Sequence, residues 1–186
     1  MKPKIAIIMG SKSDFSIVSK ATDMLDTLNI PYSVNIYSAH RTPDELDEYI
    51  GQIKACDDCK VIIAAAGMSA ALAGVIASKT IKPIIGLPLS GSEINTIASV
   101  LSTLQMPPGI PVLSVGVDAA KNAALAAAQI VALSDSDVDL KLMKYRTEQS
   151  DAVLVDNSHL NNKITKNDNR NYQPFNKAEL RCQCEF

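Results

Sequence analysis

The chain has 186 residues, of which 47% are hydrophobic and 20% charged, with a formal net charge of −2. That balance fits one globular domain with a full core, and the near-neutral charge offers no global attraction for nucleic acid or an anionic membrane, so any anion site must be local. No apolar run approaches the ~18–20 residues that span a bilayer.

The opening "KIAIIM" (4–9) reads as a first strand. Its apolar part is too short for a signal peptide and runs into a glycine turn, so a cytoplasmic protein with no membrane partner is expected. Ile17, Val18, Ala21, Met24, Leu25 and Leu28 then recur at helical spacing. "YSVNIY" (32–37) is a second strand. "TPDE" announces the next helix, with Thr42 as N-cap, Pro43 at the first helical position and Glu45 closing a capping box.

"VIIAAA" (61–66) is almost wholly apolar and reads as a strand buried on both faces. A small-residue helix follows over 70–79. "PIIGLP" (83–88) is the fourth strand, 93–104 a helix, "PVLSVG" (111–116) the fifth strand. Residues 119–133 form an alanine-rich helix and 136–155 a last one. Strands alternating with helices imply an α/β fold, a three-layer α/β/α sandwich around a parallel five-stranded sheet. The order 2-1-3-4-5 is chosen by analogy with flavodoxin-like domains.

Residues 1–156 are therefore assigned to one α/β domain. Residues 157–186 turn polar, rich in Asn and Lys, and read as a flexible tail in which His159 is solvated. Cys56, Cys59, Cys182 and Cys184 could in principle form a four-thiolate zinc site. The two pairs lie on unrelated segments, so reduced thiols and no metal are expected.

In such sheets ligands bind beyond the carboxyl ends of the strands, where the strand order switches. Three loops meet there: "MGSKSD" (9–14), "SAHRTP" (38–43) and "AAGMSAALAG" (65–74). The first offers Gly10, the hydroxyls of Ser11 and Ser13 and free amides at a helix start, which suit a phosphate. As a competing reading, Ser13 or Asp14 is only a cap. Arg41 can clamp a phosphate with two N–H groups, or pair with Asp44 at the surface. Asp14 suits sugar hydroxyls, and a phosphate plus a diol suggests a ribonucleotide or another sugar phosphate.

His40, one of only two histidines, then faces the rest of the ligand and can move protons near neutral pH without a cofactor. The third loop has few polar side chains. Gly67 and Gly74 would let backbone approach a planar ring or a small neutral molecule such as CO2, or would serve only close packing.

"MGSKSD", "SAHRTP", "KT" (79–80) and "QMPPGIPV" followed by "NAALAAAQI" resemble the N5-carboxyaminoimidazole ribonucleotide mutases of purine biosynthesis over about residues 4–155. The resemblance implies a homo-octamer that converts N5-carboxyaminoimidazole ribonucleotide to its C4-carboxylated isomer without metal or cofactor. It implies His40 as general acid/base. Ser11, Ser13 and Arg41 match phosphate-binding positions and Asp14 the ribose position. Ser38, Ala39, Ala66, Gly67, Met68, Ala70 and Leu72 complete the expected substrate contacts. Family resemblance also turns the alanine-rich helix and the last helix toward subunit contact.

The chain departs from that pattern at 66–74. Bacterial mutases usually read "AGGAAHLPG"; this chain reads "AGMSAALAG", so the second histidine is Ala71 and a proline is Ala73. The segment leans toward related carboxylases that use free CO2 and read "GRSNALSG", though those carry "SAHK" instead of "SAHR". Carboxylation of aminoimidazole ribonucleotide by free CO2 is one alternative. A non-catalytic nucleotide- or flavin-binding module on the same frame is another.

Overall fold

The computed structural model describes residues 2–166. Residues up to Leu142 form one compact unit and those from Met143 a second. The first holds β1 (Ile5–Met9), a single 3-10 turn (Lys12–Asp14), α1 (Phe15–Thr27), β2 (Tyr32–Ile36), α2 (Pro43–Ala55) and β3 (Val61–Ala66). It continues with α3 (Leu72–Ala77), β4 (Ile84–Pro88), α4 (Glu93–Leu104), β5 (Leu113–Ser114) and α5 (Ala120–Ala132). α6 (Ser136–Lys166) begins in the first unit and makes up the described part of the second.

The sheet is parallel throughout, in the order β2-β1-β3-β4-β5. Ile7 of β1 stands between Val34 and Ile63. β1 and β4 are buried along their whole length and β3 nearly so, as expected when helices cover both faces. Alternate residues divide the core in two. Ala6, Ile8, Ile62, Ala64 and Ile84 join Leu46, Ile50 and Ile53 of α2 and Leu72, Ala73 and Ile76 of α3 in one cluster. The opposite face is covered by α1 and α5, which pack on each other. Each large aliphatic side chain so buried contributes about 1.5–3 kcal/mol.

α5 packs through alanines. Ala120, Ala123, Ala124, Ala127 and Ala128 are all buried, against α1, β3 and β4. The small-residue face read from sequence as a subunit contact is thus used inside the chain. α4 shows the reverse pattern. Its only buried residues are Ser99 and Thr103, while Ile94, Ile97, Leu101 and Leu104 are 79%, 55%, 49% and 57% exposed.

Several boundaries differ from the sequence expectation. α3 covers six residues rather than 70–79, because its ends relax into tighter turns, with Lys79 N–H donating to Ile76 O. β5 is reduced to two residues. α6 continues past 155 through the polar stretch to Lys166, so 157–166, including the exposed His159, is helical. Cys182 and Cys184 lie outside the described residues. Cys56 and Cys59 are free thiols, the second buried. No group of three or more metal-ligating side chains occurs among the described residues. No described helix is long and apolar enough to cross a membrane.

Gly86 has a steric reason in the sheet. A Cβ there would overlap Thr103 Cγ2 of α4 and reach 3.0 Å from Val112 Cγ1, so the glycine lets α4 lie close on β4. Gly86→Ala is expected to destabilise the fold by about 1–3 kcal/mol in urea melts. Adding Thr103→Ser, which removes the clashing methyl and keeps the hydroxyl, should recover most of that loss.

Candidate functional site

The strand order places β1 between β2 and β3, so the loops after these three strands share the carboxyl edge of the sheet. Main-chain bonds continue the ladder past the strand ends. Tyr37 N–H donates to Met9 O (3.0 Å), Gly10 N–H to Ala65 O (3.1 Å) and Leu89 N–H to Ala66 O (3.0 Å). The loop roots are fixed by the sheet itself.

In the first loop Ser11 and Asp14 form the capping box. Ser11 Oγ accepts from Ser13 N–H, and Asp14 Oδ2 accepts from Ser11 N–H at 3.0 Å. Ser13 Oγ sits 3.0 Å from Ser11 Oγ and 3.3 Å from Asp14 Oδ1. Both serine hydroxyls and the carboxylate are therefore gathered at one helix start. The N-cap of this turn is thus Ser11 rather than Ser13 or Asp14; Asp14 closes the box from the third position and makes no side-chain cap bond to α1. Partial burial pushes the Asp14 carboxyl above the usual carboxylate range. Bonds from Ser11, Ser13 and Gly10 and the nearby Arg41 charge oppose that rise without cancelling it.

In the second loop the capping box expected at Thr42–Glu45 is absent. Thr42 has φ −136° and ψ 54°, and its hydroxyl turns backward, accepting from Ser38 N–H at 2.9 Å. Thr42 N–H in turn donates to Ser38 O at 3.0 Å. The two residues close the "SAHRT" turn on itself, and Pro43 alone opens α2 as expected. Behind the turn the rings of Tyr37 and Tyr49 stack 5.1 Å apart, and Tyr49 Oη lies 2.9 Å from Ser33 Oγ, tying β2 to α2.

Arg41 joins the two loops. Its Nη2 donates to Gly10 O (3.1 Å), and its Nε and main-chain N–H both point at Ser38 Oγ (3.4 and 3.3 Å). Asp44 is not among its partners. A guanidinium carries five N–H donors, so most of the exposed head stays open where it meets Gly10, at the root of the serine loop. Next to it, at the crest of the turn, His40 is exposed and its ring has no hydrogen-bond partner among the described residues. Ala39 is half-buried beneath it.

The third loop presents mainly backbone. Ala66 and Gly67 are half-buried, and Met68, with φ 56°, is 65% exposed. Ala70 N–H returns to Met68 O at 3.0 Å and Ala71 N–H to Ser69 O at 2.5 Å. Ala70 and Leu72 are buried to 3% and 2% exposure, so their side chains serve packing and only their main chain could meet a ligand. A methyl on Gly67 would stand 3.6 Å from Leu89 O, an ordinary contact. One on Gly74 would press within 3.2–3.3 Å of the end of the Met106 side chain. Gly74 thus serves close packing, and nothing comes near enough to Gly67 to require a glycine.

Sequence reasoning missed two residues on this edge. Asp118, at φ 54°, donates its N–H to Pro88 O (3.0 Å) and accepts Ser90 N–H on Oδ1 (2.9 Å). Their signal was positional, since "LSGS" and "GVDAA" follow β4 and β5 at the same edge. The "KT" pair lies elsewhere. Lys79 pairs with Asp47 at 2.5 Å and lines a groove of about 820 Å³ at the amino ends of β4 and β5. That groove is at the far end of the sheet from the gathered hydroxyls, Arg41 and His40.

A family model described as AIR carboxylase matches residues 4–152. The N5-carboxyaminoimidazole ribonucleotide mutase of Haemophilus influenzae is 46% identical over 153 residues, covering 81% of this chain and 93% of that protein. Its Bacillus subtilis counterpart is 44% identical over 162 residues, covering 86% and 99%. The crystal structure of Treponema denticola PurE superposes with a TM-score of 0.79 at 32% identity, over 86% of this chain and 99% of that one. By this match along most of its length, on a flavodoxin-like sheet, the chain belongs to the AIR carboxylase family.

Proposed function

We propose that the chain interconverts N5-carboxyaminoimidazole ribonucleotide and 4-carboxy-5-aminoimidazole ribonucleotide in purine biosynthesis, as a cytoplasmic isomerase. The observation that carries this reading is the Arg41–Gly10 contact, which brings the serine-rich loop and the His40 turn to one place. The named activity of relatives sharing over 40% of their residues supports the choice of substrate.

In this reading Ser11, Ser13 and Arg41 hold the phosphate. Ser11 Oγ accepts from Ser13, which leaves the Ser11 O–H proton for an anionic oxygen. Asp14 Oδ1 takes a ribose hydroxyl. The base then extends toward His40 and the 66–72 loop, with Ser38 and Ala39 on one side.

The chemistry needs one proton in and one out. The N–carboxylate bond breaks, its electron pair goes to the exocyclic nitrogen, and His40 supplies the proton as CO2 departs. CO2 stays against the backbone of Ala66, Gly67 and Met68. C4 attacks it, and His40 takes the C4 proton to restore the aromatic ring. Holding CO2 close makes recombination a near-unimolecular event, which outruns diffusion into solvent. With Ala71 at the family's second histidine position, His40 is the sole imidazole of the first unit.

The homo-oligomer, in the family an octamer, belongs to the same proposal. The support is α4, whose exposed Ile94, Ile97, Leu101 and Leu104 recur at alternating three- and four-residue steps. That spacing is the seam along which helices pair, and a second copy is the occupant that brings an identical seam.

The catalytic test is His40→Asn assayed for interconversion in both directions. Turnover should fall by roughly a hundred- to ten-thousandfold with ribonucleotide binding retained, and full activity would remove His40 from the mechanism. Faster use of aminoimidazole ribonucleotide plus bicarbonate by the parent chain would favour the free-CO2 carboxylase instead.

Arg41→Ala should act on binding. Losing a charge-assisted phosphate contact costs about 1.5–3 kcal/mol, roughly a 10- to 150-fold rise in KM. An unchanged KM would count against the phosphate role.

For the assembly, Leu101→Asp should lower the mass seen by sedimentation without changing the far-ultraviolet circular dichroism. A variant that sediments like the parent would exclude α4 as the seam.

A further inference from the structure

At the β5 side of the sheet the ladder runs out early. β5 pairs with β4 only through Leu113 and Ser114, opposite Ile85 and Gly86. Val115 N–H adds one bond to Gly86 O at 3.1 Å. Beyond it the end of β4 would be left with an unpaired edge, and such edges open easily. Asp118 fills this gap. Its N–H reaches Pro88 O and its carboxylate takes Ser90 N–H.

Both bonds depend on a left-handed backbone, at φ 54°. A non-glycine residue stays in that region where its surroundings over-determine it. From the other side, the wholly buried Ser99 of α4 points its hydroxyl at Leu89 O (3.0 Å), sharing it with Thr96 O of its own helix (2.9 Å). Leu89 is thus held between Asp118's two partners, Pro88 and Ser90, and by Ser99 on its own carbonyl.

Leu89 is also the wall behind the third loop. Its N–H donates to Ala66 O, and a Cβ added to Gly67 would meet its carbonyl oxygen and Cβ at 3.6 and 3.7 Å. A shift of Pro88–Ser90 would move the backbone of Ala66 and Gly67 with it.

We propose that Asp118 is a positioning residue for the carboxyl-transfer step: by fastening Pro88–Ser90 it keeps the Ala66–Gly67 backbone closed behind the CO2 that leaves nitrogen and returns to C4. This rests on the isomerase reading of the site. Asp118 itself touches neither ribonucleotide nor CO2. Its loss should therefore loosen retention of CO2 and leave the phosphate and ribose contacts on β1 and β2 as they are.

The test uses the full chain and N5-carboxyaminoimidazole ribonucleotide labelled with carbon-13 at the carboxylate, run in unlabelled bicarbonate. The parent should carry most label into the C-carboxylated product. Asp118→Gly keeps the left-handed turn without strain and removes only the carboxylate. It should release a severalfold larger fraction of label as bicarbonate and accumulate aminoimidazole ribonucleotide, with KM unchanged. Asp118→Asn keeps an acceptor for Ser90 N–H and tolerates the backbone, and should retain label as the parent does.

A merely structural role would lower urea stability without changing the released fraction. If Asp118→Gly retains label like the parent, or if its KM rises while label is retained, the inference is overturned and the isomerase reading stands. A parent chain that does not isomerise at all would overturn both.

Discussion

Everything at the candidate site depends on β1 lying between β2 and β3. A chain that continued its strands in one direction would scatter the loops along the sheet edge. The reversal at β1 stacks the first three loops within reach of one ligand, and the parallel ladder then fixes their roots. Tyr37 to Met9, Gly10 to Ala65 and Leu89 to Ala66 are bonds of the same kind, one strand apart. The scaffold supplies position through main chain, and the side chains there are left for chemistry. Among the described residues Arg41 bridges two of the loops through a carbonyl, Gly10 O, and it forms no ion pair with a carboxylate, although its charge lies near Asp14.

Much of this was legible in the sequence, for physical reasons that differ by element. β3 and α4 fall on their expected residues because an apolar run between polar turns and a Ser-capped amphipathic stretch leave little alternative. Ser11, Ser13, Asp14, His40 and Arg41 do gather, because strand order alone is enough to bring their loops together. What was not legible depended on competition between neighbours. Thr42 looked like a forward-facing cap, but Ser38 offered its hydroxyl a nearer donor and closed the turn instead. The alanines of α5 looked available for another subunit until α1 covered them. Asp118 carried no motif at all; its role appears only once β5 is seen to stop at Ser114.

α4 and α5 exchange the roles that composition suggests. α5 packs on α1 as well as on β3 and β4, and alanine is what such close approach allows. α4 covers β4 at Gly86, where contact is so tight that only Thr103 and Ser99 fit beneath it. Both hydroxyls are satisfied, Thr103 by Ser99 O at 2.7 Å and Ser99 by Leu89 O, so burying them leaves no unpaired donor. The larger aliphatic residues are displaced outward as a consequence. The exposed aliphatic seam and the clamp on Leu89 are thus two faces of one helix, and a change that improved one by repacking α4 would disturb the other.

Asp14 gives a separate argument for use rather than mere architecture. Its carboxyl is pushed above the usual carboxylate range, so the folded chain binds this proton more tightly than the unfolded chain does. By linkage, its contribution to stability falls as pH rises from the ordinary carboxylate value through the raised one, and above that the charged group weakens the fold. An asparagine could accept the Ser11 N–H equally well without this cost. The fold therefore carries a charged, partly desolvated acceptor that its own cap does not require. A ribose hydroxyl donating to Oδ1 would favour the charged form, so ligand binding would draw the Asp14 pKa back down.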